Sequence, residues 1–89
     1  MISDTEKKVI VQCARKYNVS CVLLFGSSIE EDTEANDIDL GVKGIEPQMF
    51  FKFYAELIKY LSKPVDLVDL SYKSLFTELI EENGVKIYG

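Results

Sequence analysis

The sequence predicts an α+β fold: one small mixed β-sheet with helices packed on one side. Three observations predict it. Apolar residues recur at helical spacing in three stretches, and four short β-branched runs lie between and after them. The resulting order is helix, strand, strand, helix, strand, helix, strand, which alternates too irregularly for an all-parallel sheet. The chain also has only 89 residues, enough for a single modest core, so residues 1–89 are expected to form one domain.

Ser3-Asp4-Thr5-Glu6 opens the first helix as a capping box, with Ser3 as N-cap and Glu6 reaching back. Val9, Ile10, Cys13, Ala14 and Tyr17 follow as one apolar stripe, and Asn18 suits a left-handed helix stop. Val19 to Phe25 reads as a buried strand ending at Gly26, with a turn or short helix over Ser27 to Glu34. Asp37 to Val42 is the second strand, in which Gly41 lets a neighbour or a ligand approach closely. Pro47 sits well as the first residue of a new helix. Its stripe is Phe50, Tyr54, Leu57, Ile58 and Leu61; Phe51 and Phe53 fall off the centre and either widen the packed face or mark a protein interface. Lys63-Pro64 ends that helix, and Val65 to Leu70 forms a third strand. Ser71 is the expected cap of a last helix carrying Leu75, Phe76, Leu79 and Ile80. Asn83-Gly84 stops it, and Val85 to Tyr88 adds a short edge strand.

Composition removes several classes of function. With no histidine in the chain, His-based triads and His-containing zinc sites are excluded, so chemistry must rest on carboxylates, hydroxyls and metal ions. A net charge of −5 and the lack of a basic stripe argue against direct nucleic-acid binding. There is no signal-peptide pattern and no apolar run near membrane length, so a soluble, cytoplasmic protein without a membrane partner is expected. Cys13 and Cys21 lack a Cys-x-x-Cys spacing, sit in apolar patterns, and read as two buried free thiols in a reducing compartment.

The chemistry concentrates between Leu23 and Lys43. Strand residues i and i+2 share a face with Cα atoms about 6.5 to 7 Å apart. Asp37 and Asp39 therefore stand side by side, while Ile38 and Leu40 point into the core. Two carboxylates at that spacing suit Mg²⁺, which prefers oxygen ligands and often shares them with substrate phosphates. Gly26-Ser27 just upstream offers close backbone approach and a hydroxyl for a phosphate. Asp66 is an acid inside an apolar run; an unpaired buried charge is costly, and a cation nearby would relieve it. Asp69 falls on the opposite face and reads as a turn or cap residue. An EF-hand reading of Asp32, Glu34 and Asn36 fails, because Asp37 stands where glycine is required and Lys43 where the last glutamate belongs.

Phe25-Gly26-Ser27, Asp37-Ile38-Asp39-Leu40 and Val65-Asp66-Leu67-Val68 together resemble the DNA polymerase β nucleotidyltransferase superfamily. The short length and the ending from Leu79 to Tyr88 are most similar to its minimal nucleotidyltransferase (MNT) branch, across nearly the whole chain. The resemblance implies a polymerase-β-type fold and transfer of a nucleoside monophosphate, AMP from ATP, with release of pyrophosphate. It implies that Asp37, Asp39 and Asp66 hold a pair of Mg²⁺ ions, and that Asp66 also orients or deprotonates the attacking hydroxyl. Gly26 and Ser27 would hold the outgoing phosphates of the nucleoside triphosphate. Minimal nucleotidyltransferases are often paired with a small helical HEPN ribonuclease as its antitoxin and can transfer AMP to a tyrosine of that partner. The resemblance therefore implies a HEPN-type partner; a homodimer stays open. The loop departs from the family pattern. Ser28, Ile29, Glu30, Glu31 and Asp32 stand where basic residues are common, and the spacer from Ser27 to Asp37 is nine residues, one short of the usual length. A catalytically weak binding module that neutralises its partner by contact is thus the competing expectation. Transfer to a small hydroxyl compound is a third, although it usually needs an added substrate domain.

Overall fold

The structure, a computed structural model, describes residues 2–29 and 36–89. The acidic stretch Glu30, Glu31, Asp32 and Glu34, which departs from the family pattern, lies outside the described residues. Helix α1 spans Asp4–Lys16 behind the expected capping box: the Glu6 N–H donates to Ser3 Oγ at 3.1 Å, and the Ser3 N–H to Glu6 Oε1 at 2.8 Å. Asn18 adopts the left-handed conformation at φ 55°, stopping the helix as predicted. Strand β1 (Cys21–Leu24) leads through a 3₁₀ turn at Gly26–Ile29 to β2 (Ile38–Lys43). A second 3₁₀ turn, Pro47–Met49, starts α2 (Phe50–Tyr60); β3 (Val65–Asp69), α3 (Leu75–Asn83) and β4 (Val85–Tyr88) follow.

The four strands form one mixed sheet in the order β3-β2-β1-β4. Antiparallel pairs join β1 to β2 and to β4, and a parallel pair joins β2 to β3 in the register Ile38↔Val65, Asp39↔Asp66, Leu40↔Leu67. The parallel pair follows from the α2 crossover, which returns the chain to the same end of the sheet. The expected edge strand at Val85 is present as β4.

Strand alternation sorts the residues onto two faces. Val22, Leu24, Ile38, Leu40, Val42 and Val65 point into the main core, where α1 contributes Ile10, Cys13 and Ala14 and α2 contributes Phe53 and Leu57. Leu23 and Leu70 face the other way and are covered by Ile80 of α3. Helices α1 and α2 thus share one side of the sheet, as anticipated, while α3 lies on the opposite side. Lys43, which also emerges on that side, pairs with Glu81 of α3.

Three local expectations change. Phe53 is the centre of the α2 stripe at 0% exposure, whereas Ile58 is 52% and Phe51 76% exposed. Phe53 and Leu57, four residues apart, share the face that docks on the main core, and that packing sets the rotation of the helix. The N-cap of α3 is Ser74, not Ser71: Ser74 Oγ accepts the Thr77 N–H at 3.2 Å, and Thr77 Oγ1 accepts the Ser74 N–H at 2.9 Å. Ser71 belongs instead to a turn in which its N–H donates to Asp69 Oδ1 at 2.9 Å, as expected of Asp69 as a turn residue. Of the α3 apolar residues only Ile80 is buried, while Leu75, Phe76 and Leu79 are exposed. No helix among the described residues is long and apolar enough to cross a membrane. Both cysteines are free thiols; Cys13 is buried as expected, whereas Cys21 lies on the α3 side of the sheet against the smaller cluster and is only half-buried.

Candidate functional site

The site is built where β1 ends and β2 begins. Ile38 and Leu40 are fully buried, so the alternation of β2 turns Asp39 to the face away from the main core, as the spacing predicted. Asp37 precedes the strand and is exposed, and Asp39 is half-buried. The parallel register sets Asp66 directly beside Asp39 on the neighbouring strand. Adjacent strands are about 4.8 Å apart, so two acids at matched positions are forced together. Asp66 itself is exposed, which corrects the expectation of a buried acid. Its strand lies at the sheet edge, and the face it occupies is open at that end.

Electrostatics records the crowding. Burial pushes the Asp39 carboxyl above its ordinary value of 3.8, the charge and hydrogen-bonding reach of Asp66 push it further, and the charge of Asp37 adds to the shift. Among the described residues, no three acids are drawn together tightly enough to form a ready-made metal cage. The donor set is nevertheless all oxygen, which is the kind that Mg²⁺ takes, and its mutual repulsion is the kind a divalent cation removes.

Gly26 closes the other side. Its φ of 61° lies in the left-handed region, and a Cβ there would stand 2.6 Å from Asp39 Oδ2. Both facts favour glycine: a side chain is strained in that backbone conformation, and a Cβ would push the Asp39 carboxylate aside. The backbone of Ser27 continues the 3₁₀ turn, and its side chain is not among those described. On the far side of Gly26, Phe25 meets Phe76 edge-on with ring centroids 5.9 Å apart, and with Ile29 and Leu79 they line a shallow groove. Gly41, singled out for close approach, admits a neighbour rather than opening to a ligand: a Cβ there would lie 2.9 Å from Leu70 Cδ1.

One residue of the site went unseen in the sequence. Ser28 is completely buried, and its hydroxyl accepts the Asp39 N–H at 2.9 Å and donates to the Asp37 carbonyl at 3.3 Å. Nothing in the run Gly26-Ser27-Ser28 distinguishes one serine from the next; only the turn decides which of them points inward.

The mixed sheet, with a glycine turn against acids on neighbouring strands, is the architecture of a nucleotidyltransferase-type domain. A family model described as polymerase beta, nucleotidyltransferase matches residues 7–89, and the chain belongs to that family. Among solved structures it is similar to a toxin–antitoxin complex crystallised with AMP-PNP, at 24% identity and a TM-score of 0.76, covering 93% of this chain and 73% of that one. An MntA–HepT toxin–antitoxin structure is similar at 22% identity and a TM-score of 0.74, covering 98% of this chain and 73% of that one. A mutant of such a pair, with two aspartates changed to glutamate, is similar at 21% identity and a TM-score of 0.75, covering 93% and 72%. At these identities the likeness is one of fold. No curated protein is significantly similar in sequence.

Proposed function

We propose that this chain is a single minimal nucleotidyltransferase domain that moves AMP from ATP to a hydroxyl of a protein partner in the cytoplasm, a tyrosine of a HEPN-type toxin, and so acts as its antitoxin. The observation that carries the reading is the crowding of Asp39 by Asp66 and Asp37 against the Gly26 turn. An acid cluster of this kind costs folding energy, and a cation-bound triphosphate would repay it. The family supports nucleotidyl transfer, the relative crystallised with AMP-PNP supports an ATP-like donor, and the toxin–antitoxin relatives support a toxin partner. In one relative the two mutated aspartates are two positions apart, which is the spacing of Asp37 and Asp39.

In this reading Asp37, Asp39 and Asp66 hold a pair of Mg²⁺ ions. Once bound, these ions offset the triphosphate charge and lower the pKa of the attacking hydroxyl. Asp66, exposed at the sheet edge, is open to an incoming hydroxyl and orients it or accepts its proton. The acceptor oxygen bonds to the α-phosphorus as the bond to the bridging oxygen breaks, and pyrophosphate carries away the electron pair. Gly26, with no side chain in the way, and Ser27 hold the β- and γ-phosphates as they leave.

The test incubates the protein with Mg²⁺, host lysate and ATP labelled at either the α- or the γ-phosphorus, beside the Asp37→Asn, Asp39→Asn double variant. Label passing to a protein band only from α-labelled ATP, and only with wild type, is the expected result. No transfer from either label by folded protein that still captures a partner would establish neutralisation by contact instead.

A further inference from the structure

The ladder between β1 and β2 is interrupted where the site begins. The Phe25 N–H donates to the Asp39 carbonyl at 3.1 Å, and in an antiparallel pair the Phe25 carbonyl should accept the Asp39 N–H in return. The chain has already turned at Gly26, and the Phe25 carbonyl accepts the Ser28 N–H at 3.3 Å instead. The Asp39 N–H is left to the Ser28 hydroxyl, which also donates to the Asp37 carbonyl. One buried side chain thus replaces the missing rung and holds the backbone on both sides of Ile38. Among the described residues, Ser28 and Thr77 are the buried polar side chains, and Thr77 is accounted for by capping α3.

We propose that Ser28 is the positioning residue of the carboxylate site: its hydroxyl fixes the peptides of Asp37 and Asp39 so that both carboxylates present together beside Gly26. The proposal rests on the metal-binding reading above. Asp37 stands outside the strand, so strand pairing does not set the direction of its side chain. Its carbonyl bond to Ser28 ties it to the turn, and the neighbouring Ile38 N–H is tied to the Pro64 carbonyl at 2.9 Å. Removing the hydroxyl leaves the part-buried N–H of Asp39 without its partner and frees the peptide before it to rotate. Groups that orient metal ligands without touching the metal typically affect affinity by about 10- to 100-fold.

The experiment compares full-length wild type, Ser28→Ala and Leu57→Ala, with Mn²⁺ as the probe in place of Mg²⁺. Leu57 is buried in the main core on the other face, so its truncation destabilises the fold without touching the site. Mn²⁺ affinity is read by electron paramagnetic resonance and backbone amide exchange by NMR. The expected result is a loss of Mn²⁺ affinity of about 10- to 100-fold in Ser28→Ala and none in Leu57→Ala. The Asp39 amide should also exchange at least about tenfold faster in Ser28→Ala relative to Val42 of the same strand, while Leu57→Ala speeds both alike. Ser28→Ala that binds Mn²⁺ as wild type does, or that speeds all β2 amides equally, overturns the proposal and leaves Ser28 a packing residue. Wild type that binds no Mn²⁺ overturns the metal reading itself, and the role of Ser28 in a metal site falls with it.

Discussion

Neutralising Asp39 should stabilise the metal-free protein. Its carboxyl is held above the ordinary value of 3.8 by burial first and by Asp66 and Asp37 next, so the ionised form is disfavoured by folding. The sign follows directly. Below 3.8 the group is protonated in folded and unfolded chains and costs nothing; as pH rises through the raised folded value, the folded state alone must ionise against its surroundings, and stability falls. Two unit charges about 5 Å apart repel by about 0.8 kcal/mol in water and about 3 kcal/mol at an effective dielectric constant of about 20. Asp66 is exposed, so screening favours the low end, and a gain of about 0.5–1 kcal/mol is expected for Asp39→Asn at neutral pH. For a domain of this size that is a rise in Tm of about 2–8 °C. The assay is thermal unfolding by circular dichroism with EDTA, from pH 3 to 8. The advantage of Asp39→Asn should be absent at the acid end and grow to a plateau near neutrality. Adding Mg²⁺ should then raise the Tm of wild type and leave that of the variant nearly unchanged. An Asp39→Asn protein that melts at or below wild type throughout this range would refute the argument from crowding.

Gly26→Ala should cost about 1–2 kcal/mol from the left-handed backbone alone, and its Cβ would displace the Asp39 carboxylate. Urea unfolding together with α-label transfer checks both effects, and unchanged transfer would contradict the close approach. Cys13 should resist Ellman's reagent at pH 8 while Cys21 reacts, because burial and then the Glu56 charge raise the Cys13 thiol and deplete its thiolate. Mass spectrometry of the partly labelled protein identifies the site. Leu75→Glu and Leu79→Glu should each change stability by less than about 0.5 kcal/mol, whereas Ile80→Ala should cost about 2–5 kcal/mol. Denaturant unfolding of the three variants distinguishes the exposed apolar residues of α3 from its buried Ile80.

Local chemistry was readable along the chain wherever a residue acts on near neighbours. The Ser3–Glu6 capping box, the left-handed Asn18, the break at Lys63-Pro64 and the inward Ile38 and Leu40 depend on backbone preference and periodicity, which a linear sequence carries. The family signal was readable for the same reason, since Gly26-Ser27, Asp37-x-Asp39 and Asp66 occur at recognisable positions in order. Where two periodic solutions competed, the sequence could not choose: Phe53 against Ile58 on α2, or Ser71 against Ser74 before α3, differ by a rotation or a turn that tertiary packing sets.

The linear chain therefore determined the element order, the mixed sheet and the acids that belong together. Only the tertiary structure decided how they meet. The parallel register of β2 and β3 puts Asp66 beside Asp39 although they are far apart in sequence, and it leaves Asp66 exposed where its apolar neighbours had suggested burial. Ile80 closes the second face of the sheet because Gly41 leaves room there for Leu70. The turn at Gly26 sends Ser28 inward to replace a ladder bond, a role that arises only because β1 ends at Leu24, opposite Leu40, while β2 runs two residues further to Ile38. Hydrogen-bond vacancies of this kind are created by the meeting of two strands, so neither strand's sequence contains them alone.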